Sequence, residues 1–139
     1  MRKHYLLFVL ICLTACNGAD KIELKKQALL FYKEENYLKA DSLFSYIKPD
    51  TLDFEFFFKR GFACGKLWKI NESNYFFDYC INHKYKVEKC LFYKGLNCMM
   101  ANEGVKAIDY FQKVLLLDSA NINAKHAIKQ CKENWDLKK

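Results

Sequence analysis

Histidine is scarce in this chain of 139 residues: there are three, and one of them, His4, sits at the basic amino-terminal end. General-base chemistry has little to draw on. The sequence holds no His-Glu-x-x-His, no Gly-rich phosphate loop and no nucleophile elbow. Its carboxylates, such as Glu34, Glu35 and Glu55, fall on solvent-facing or turn positions of the helical pattern described below. No enzyme is expected. Proline occurs once, as Pro49. No apolar run reaches the roughly 20 residues that a membrane-spanning helix needs, since the run at 5–13 has nine. The formal net charge is +7. The excess is spread along the helices as lysine rather than gathered with arginine, glycine and aromatics, so it reads as solvated faces and not as a nucleic-acid footprint.

What is present is a repeat. In 104–121 the apolar residues Val105, Ile108, Phe111, Val114 and Leu115 fall three or four apart, which makes one stripe on a helix. Upstream, 89–101 carries its own stripe through Leu91, Gly95, Cys98 and Ala101, and the break at Ala101-Asn102-Glu103-Gly104 predicts an Asn cap between two paired helices. The signature recurs. Small residues stand at Ala28, Gly61 and Gly95, spaced by 33 and 34, with Phe31, Cys64 and Cys98 three residues after each. The second helices keep step through Ala40, Ser73 and Ala107, then Phe44, Phe77 and Phe111, then Ile47, Cys80 and Val114. A period of this length in paired helices marks an array whose stacked neighbours bury a core that no single unit could make.

This pattern resembles the tetratricopeptide repeat family, met best by Gly95, Ala107 and Phe111 over 21–121. Departures from it are Cys98 and Ser119 in the third unit, and Cys64, Ser73 and Tyr85 in the second. The expected fold is all-α, a short α-solenoid of about three helical hairpins plus a capping helix, in one repeat domain, 21–135, with a tail at 136–139. The first pair is expected over 21–36 and 37–48, turning at Glu35-Asn36 and stopped by Pro49. The second is expected over 53–67 and 72–82, with Asn71 as a cap, and the final helix over 122–135.

Residues 1–15 have the form of a secretory signal: the basic Met1-Arg2-Lys3-His4, an apolar 5–13, then small residues before a cysteine. Leu13-Thr14-Ala15-Cys16 resembles a bacterial lipobox. The resemblance implies that Cys16 is lipidated, with a diacylglycerol and an N-acyl chain, and that no other cofactor is needed. Cys12 follows the bulky Ile11 and is the poorer match. Loss of 1–15 removes Arg2 and Lys3 and no acid, which takes the charge from +7 to +5. The anchor and linker at 16–20 leave about 15 Å of slack. The protein is therefore expected on a membrane of the bacterial cell envelope, and Asn17 rather than Asp after the cysteine favours an outer-membrane address in a Gram-negative cell.

Apart from Cys16, which is expected to be lipidated, five cysteines remain in the mature chain: Cys64, Cys80, Cys90, Cys98 and Cys131. Three occupy repeat positions that elsewhere hold Phe or Val, so they read as small core residues. Cys80, His83 and Cys90, or His126 and Cys131, lack the tight spacing of a structural zinc site, and no metal is expected.

In the family the first helix of each pair lines the concave face. That implies a partner-binding surface of Lys25, Leu29, Tyr32 and Lys33, then Phe58, Phe62 and Lys66, then Lys89, Phe92, Leu96, Met99 and Met100. An apolar floor with a lysine fringe suits a protein or peptide partner that brings aromatic or aliphatic anchors and an acidic group, and no nucleic acid. Lys25 and Lys89 resemble the carboxylate-clamp subgroup, but its asparagines are absent and Leu29 stands in one of their places. For Phe58, Phe62 and Phe92 two roles are open: groove lining, or packing against neighbouring helices. The function expected is a membrane-anchored interaction module with an interface at or below about 1,200 Å²; the alternative is small-molecule or envelope-sugar binding, or an accessory role in an enzyme complex.

Overall fold

Small residues at helical spacing fix where helices can touch, and the computed structural model, which describes residues 18–48 and 50–135, shows what fills those sites. Seven α-helices occur among these residues, without a strand: α1 (Gly18–Lys33), α2 (Tyr37–Tyr46), α3 (Phe54–Lys66), α4 (Ile70–Asn82), α5 (Val87–Met100), α6 (Gly104–Leu117) and α7 (Ile122–Asn134). The chain divides into two compact units, Met1–Lys48 with α1 and α2, and Pro49–Lys139 with α3 to α7. The expected signal at 1–15, Cys16, the stop at Pro49 and the tail at 136–139 lie outside the described residues. No described helix is long and apolar enough to cross a membrane.

The repeat positions are the core. Ala28, Ala40, Phe44 and Ile47 are buried in the first unit, with Phe31 half-buried. In the second unit Gly61, Cys64, Ser73, Phe77, Cys80, Gly95, Cys98, Ala107, Phe111 and Val114 are all buried. The small residue on the first helix of a pair admits the phenylalanine ring of the second. A Cβ at Gly95 would stand 2.6 Å from the Phe111 ring. The crossing expected against Ala107 is thus made by the Phe111 ring, and burying that ring contributes about 1.5–3 kcal/mol.

The turns repeat as well. Glu35, Trp68 and Asn102, again 33 and 34 apart, adopt φ of 57°, 61° and 61°. Each left-handed residue lets the next amide reach back into the helix: Asn36 N–H to Phe31 O at 2.9 Å, Lys69 to Cys64 at 2.9 Å, and Glu103 to Cys98 at 2.8 Å. These bonds satisfy carbonyls that a helix end leaves without partners. Two of the three residues are not types that favour this conformation.

Helix starts differ from expectation in two places. Asn102 does not cap α6; it is the left-handed turn residue, and its Oδ1 accepts from Trp135 Nε1 at 2.7 Å. Asn71 does not cap α4, which begins at Ile70 after Lys69 with no side-chain cap. Asn36, Asp53 and Asn121 do cap, each accepting a backbone N–H three residues on. The stripe on α6 is also rotated: Gly104, Ala107, Phe111 and Val114 face the core, while Val105 is 62% exposed. The cause is Trp135, whose ring lies so close to Gly104 that a Cβ there would approach within 2.6 Å. Ala101, counted in the α5 stripe, is exposed in the turn.

Two glutamates one repeat apart join hairpins within the second unit. Glu55, in the first turn of α3, accepts from Lys86 at 2.6 Å and from the Tyr85 hydroxyl, both in the α4–α5 turn. Glu88, in the first turn of α5, accepts from Asn121 at 2.7 Å, ahead of α7.

Candidate functional site

In the second unit α3 and α5 are the first helices of consecutive hairpins, and between them lies a cavity of about 290 Å³. Phe62, Gly65, Lys66, Trp68, Phe77, Tyr93, Leu96, Asn97 and Met100 line it. Residues four apart share a helix face, so Phe62 and Lys66 arrive together from α3, and Leu96 and Met100 from α5. Phe62 meets Tyr93 edge to face at 5.0 Å between centroids, and Tyr93 stacks on Phe77 at 5.6 Å. The Lys66 ammonium stands 5.3 Å over the Phe62 ring. Burial pushes the Tyr93 phenol up, so it stays neutral.

The polar part of the site is small, and the donors of Ser73 and Asn97 are all used. Asn97 Nδ2 donates to Ser73 Oγ at 2.9 Å and to Asn74 Oδ1 at 2.8 Å, and the Ser73 hydroxyl donates to Gly61 O at 2.8 Å. With these bonds made, Asn97 is held rigidly although only 3% exposed. Trp68 closes one end from its left-handed turn and is 68% exposed.

Of the twelve residues expected to bind a partner, Phe62, Lys66, Leu96 and Met100 come together here, and eight do not. Phe58 is 8% exposed and packs on Phe77, Tyr85 and Tyr93, with Lys86 over its ring at 4.8 Å. Phe92 contacts Phe111 at 5.4 Å, and both Phe92 and Met99 pack against the core that α5, α6 and α7 enclose. Phe58 is buried under its ring neighbours, whereas Phe92 and Met99 are half-buried against that core, as Leu96 also is. Lys89 is exposed and does not line the cavity. In the first unit Leu29 and Lys33 border a shallow depression on α1 with Leu30, and Tyr32 meets Tyr37 at 5.8 Å; Lys25 is half-buried on the same helix.

Sequence reasoning missed Gly65, Trp68, Phe77, Tyr93 and Asn97. One signal was available: Ser73 stands where the repeat places alanine, and Asn97 is a lone polar residue between Leu96 and Cys98. Two such departures facing the same interior are a pair. Glu55, assigned to a solvent-facing position, is instead a paired group. Its partial burial favours the neutral form, but hydrogen bonds from Lys59, Lys86 and Tyr85 outweigh that and hold the carboxyl at about 2, against an ordinary 4.5.

The cysteines Cys64, Cys80, Cys90, Cys98 and Cys131 are free and buried. Cys80 Sγ donates to Phe54 O at 3.6 Å and Cys90 Sγ to Tyr85 O at 3.7 Å, while His83 stacks on Phe54 at 5.0 Å. Among the described residues no group of three or more His, Cys, Asp or Glu side chains could hold a metal.

No family model matches the chain, and no curated protein matches it. Solved structures do. The first TPR domain of Spaghetti (RPAP3) bound to the HSP90 peptide SRMEEVD is similar with a TM-score of 0.70 at 15% identity, covering 86% of this chain and 96% of that one. The TPR domain of Arabidopsis OM64 gives 0.69 at 19% identity, over 81% of this chain and 94% of that one. The second TPR domain of human RPAP3, in complex with the HSP70 peptide SGPTIEEVD, gives 0.64 at 22% identity, over 80% and 93%. The fold is therefore an all-α solenoid of helical hairpins of the tetratricopeptide type.

Proposed function

We propose that this protein is a membrane-anchored interaction module of the bacterial cell envelope, which holds a peptide segment of a protein partner in the groove between α3 and α5. The observation that carries this reading is the groove itself: an apolar cavity of about 290 Å³ whose floor is built from the first helices of two hairpins, with Lys66 at its edge. Apolar and aromatic walls around a few fixed polar groups are what a recognition pocket needs. Two of the similar TPR domains are named with bound peptides, which supports the same use of the fold. Lysine at the rim favours an acidic residue beside the anchor of the bound peptide.

The anchor is Cys16, the lipidated first residue of the mature protein once 1–15 is removed, and each buried CH₂ contributes about 0.8 kcal/mol to membrane binding. Cys16→Ser should leave unprocessed or soluble protein and remove it from the membrane fraction; normal processing with membrane retention would overturn the anchor. For the groove, a tagged, lipidated chain is purified from native membranes beside a Phe62→Ala, Leu96→Ala double variant with unchanged helicity and melting. A stoichiometric protein partner should be lost from the variant. A partner retained at full stoichiometry would place binding elsewhere.

A further inference from the structure

The groove has one feature that a purely apolar peptide anchor would not use. The Ser73 hydroxyl spends its proton on Gly61 O at 2.8 Å, so Ser73 Oγ can only accept from Asn97, at 2.9 Å. That fixes which end of the Asn97 amide is nitrogen. A second bond from Nδ2, to Asn74 Oδ1 at 2.8 Å, uses the remaining donor. The carbonyl oxygen Oδ1 faces Gly65, as Ser73 Oγ does. A Cβ on residue 65 would stand 3.1 Å from Ser73 Oγ and 3.2 Å from Asn97 Oδ1. Glycine at 65 leaves the Asn97 acceptor within reach of the cavity that Gly65 and Asn97 line.

Size narrows the occupant. About 290 Å³ lies at the lower limit of cavities that hold whole small ligands, roughly 300 Å³, so the space suits one large side chain. The walls are aromatic, from Phe62, Phe77 and Tyr93, and favour a ring in edge or offset contact. Asn97 is only 3% exposed, so it lies at the floor, where the main chain of a peptide crossing the mouth does not reach. An apolar ring would cover the acceptor and leave it without a donor, whereas a ring ending in O–H or N–H would complete it.

We infer that the pocket takes one aromatic side chain that ends in a hydrogen-bond donor, a tyrosine or tryptophan of the partner segment, which donates to Asn97 Oδ1. This rests on the groove reading and goes further, because it names the anchor and the atom that selects it. Specificity then comes from the penalty on the wrong ring. A site built to hydrogen-bond a ligand group rejects the analogue that lacks it far more strongly than an apolar slot rejects a change in size.

The test uses the full chain with ¹³C-methyl methionine. Of its three methionines, Met100 borders the pocket and Met99 packs into the neighbouring core, so one reports binding and the other serves as internal control. N-acetyltyrosinamide and N-acetylphenylalaninamide are titrated separately; they differ by the hydroxyl alone. The Met100 methyl should shift with both and Met99 with neither, and the tyrosine probe should bind on the order of tenfold more tightly. Asn97→Leu should abolish that preference. If Asn97→Leu fails to fold, Gly65→Ala takes its place, because its Cβ would stand 3.2 Å from Oδ1 and 3.1 Å from Ser73 Oγ and should erase the preference by crowding the acceptor. Equal affinity for the two probes in the wild-type chain would overturn the donor requirement and leave the groove standing. Absence of any Met100 shift would overturn the pocket as a side-chain site, while the co-purification experiment decides the groove reading separately.

Discussion

At Gly61 a Cβ would come 3.1 Å from the Phe76 Cβ and the Phe77 ring, whereas at Gly95, one repeat later, it would come 2.6 Å from the Phe111 ring. Both glycines receive the phenylalanine of the following helix, but the third hairpin closes tighter. Its buried residues are small and aliphatic around one ring, Phe111 with Cys98, Ala107 and Val114, completed by Ala124, Ala127 and Cys131 of α7, and the rings of Phe92, Tyr110 and Trp135 pack against them half-buried. The second hairpin instead packs ring on ring, with Phe57 against Tyr79 at 4.2 Å, Phe58 against Phe77 at 5.9 Å and Phe77 against Tyr93 at 5.6 Å. The same backbone plan thus accepts two kinds of filling. The aromatic one leaves an accessible cavity at its edge, and that is where the candidate site lies.

The largest effect should come from emptying the two equivalent ring positions. Phe111→Ala is expected to cost about 3–5 kcal/mol, because its fully buried neighbours are small and only the Phe92 ring, in contact at 5.4 Å, could shift toward the space. Phe77→Ala should cost less within that range, since the Phe58 and Tyr93 rings can shift toward the void. Chemical denaturation of both variants measures the difference, and a larger loss at Phe77 would mean that the aromatic cluster is the stiffer of the two.

The glycines sharpen the contrast. Gly95→Ala should destabilise by about 1–3 kcal/mol through overpacking. Gly61→Ala meets its neighbours less closely, and the gain of about 1 kcal/mol in helix propensity offsets the contact. Its melting temperature should stay near that of the parent; equal losses at both positions would erase the distinction.

A smaller effect is expected at the polar pair that joins α4 to α5. Ser73→Ala leaves Asn97 Nδ2 with Asn74 alone, and should cost about 1 kcal/mol. Urea titration gives the value, and no measurable loss would show that Ser73 is only a space filler.

The smallest concerns Glu55, which ties the second hairpin to the α4–α5 turn by ionised hydrogen bonds. Its carboxyl titrates at about 2 when folded, below the ordinary 4.5. The stabilisation is therefore fully present above pH 4.5 and is lost as pH falls toward 2. With 41% of the side chain exposed, screening holds it to within about 1 kcal/mol. The melting gap between wild type and Glu55→Gln should close between pH 5 and pH 2, and a gap independent of pH would remove the ion pairs as its cause.

The repeat was legible because a buried position tolerates few residue types. Ala28, Gly61 and Gly95, and Phe44, Phe77 and Phe111, could be aligned before any contact was known. Four of the nine residues that line the cavity, Phe62, Lys66, Leu96 and Met100, were reached from the same register. Phe58 shares their hydrophobicity and lies on the same helix as Phe62, yet it is buried, and Phe92 and Met99 turn partly into the neighbouring core. Asn71, Asn102 and Val105 were misplaced for a related reason. A side-chain cap stabilises by only about 1 kcal/mol, so a packed tryptophan such as Trp135 against Gly104 overrides it.

The sequence by itself determined that the chain is an array of helical hairpins and which residues each hairpin turns inward, because volume at a crossing is a local demand that repeats with the period. Only the tertiary structure decided which flank of each first helix stays open, that Trp68 turns left-handed beside the groove, and that Ser73 and Asn74 aim the Asn97 carbonyl at Gly65. Those outcomes depend on partners 12 to 24 residues away along the chain, and no local pattern records what a distant neighbour will cover.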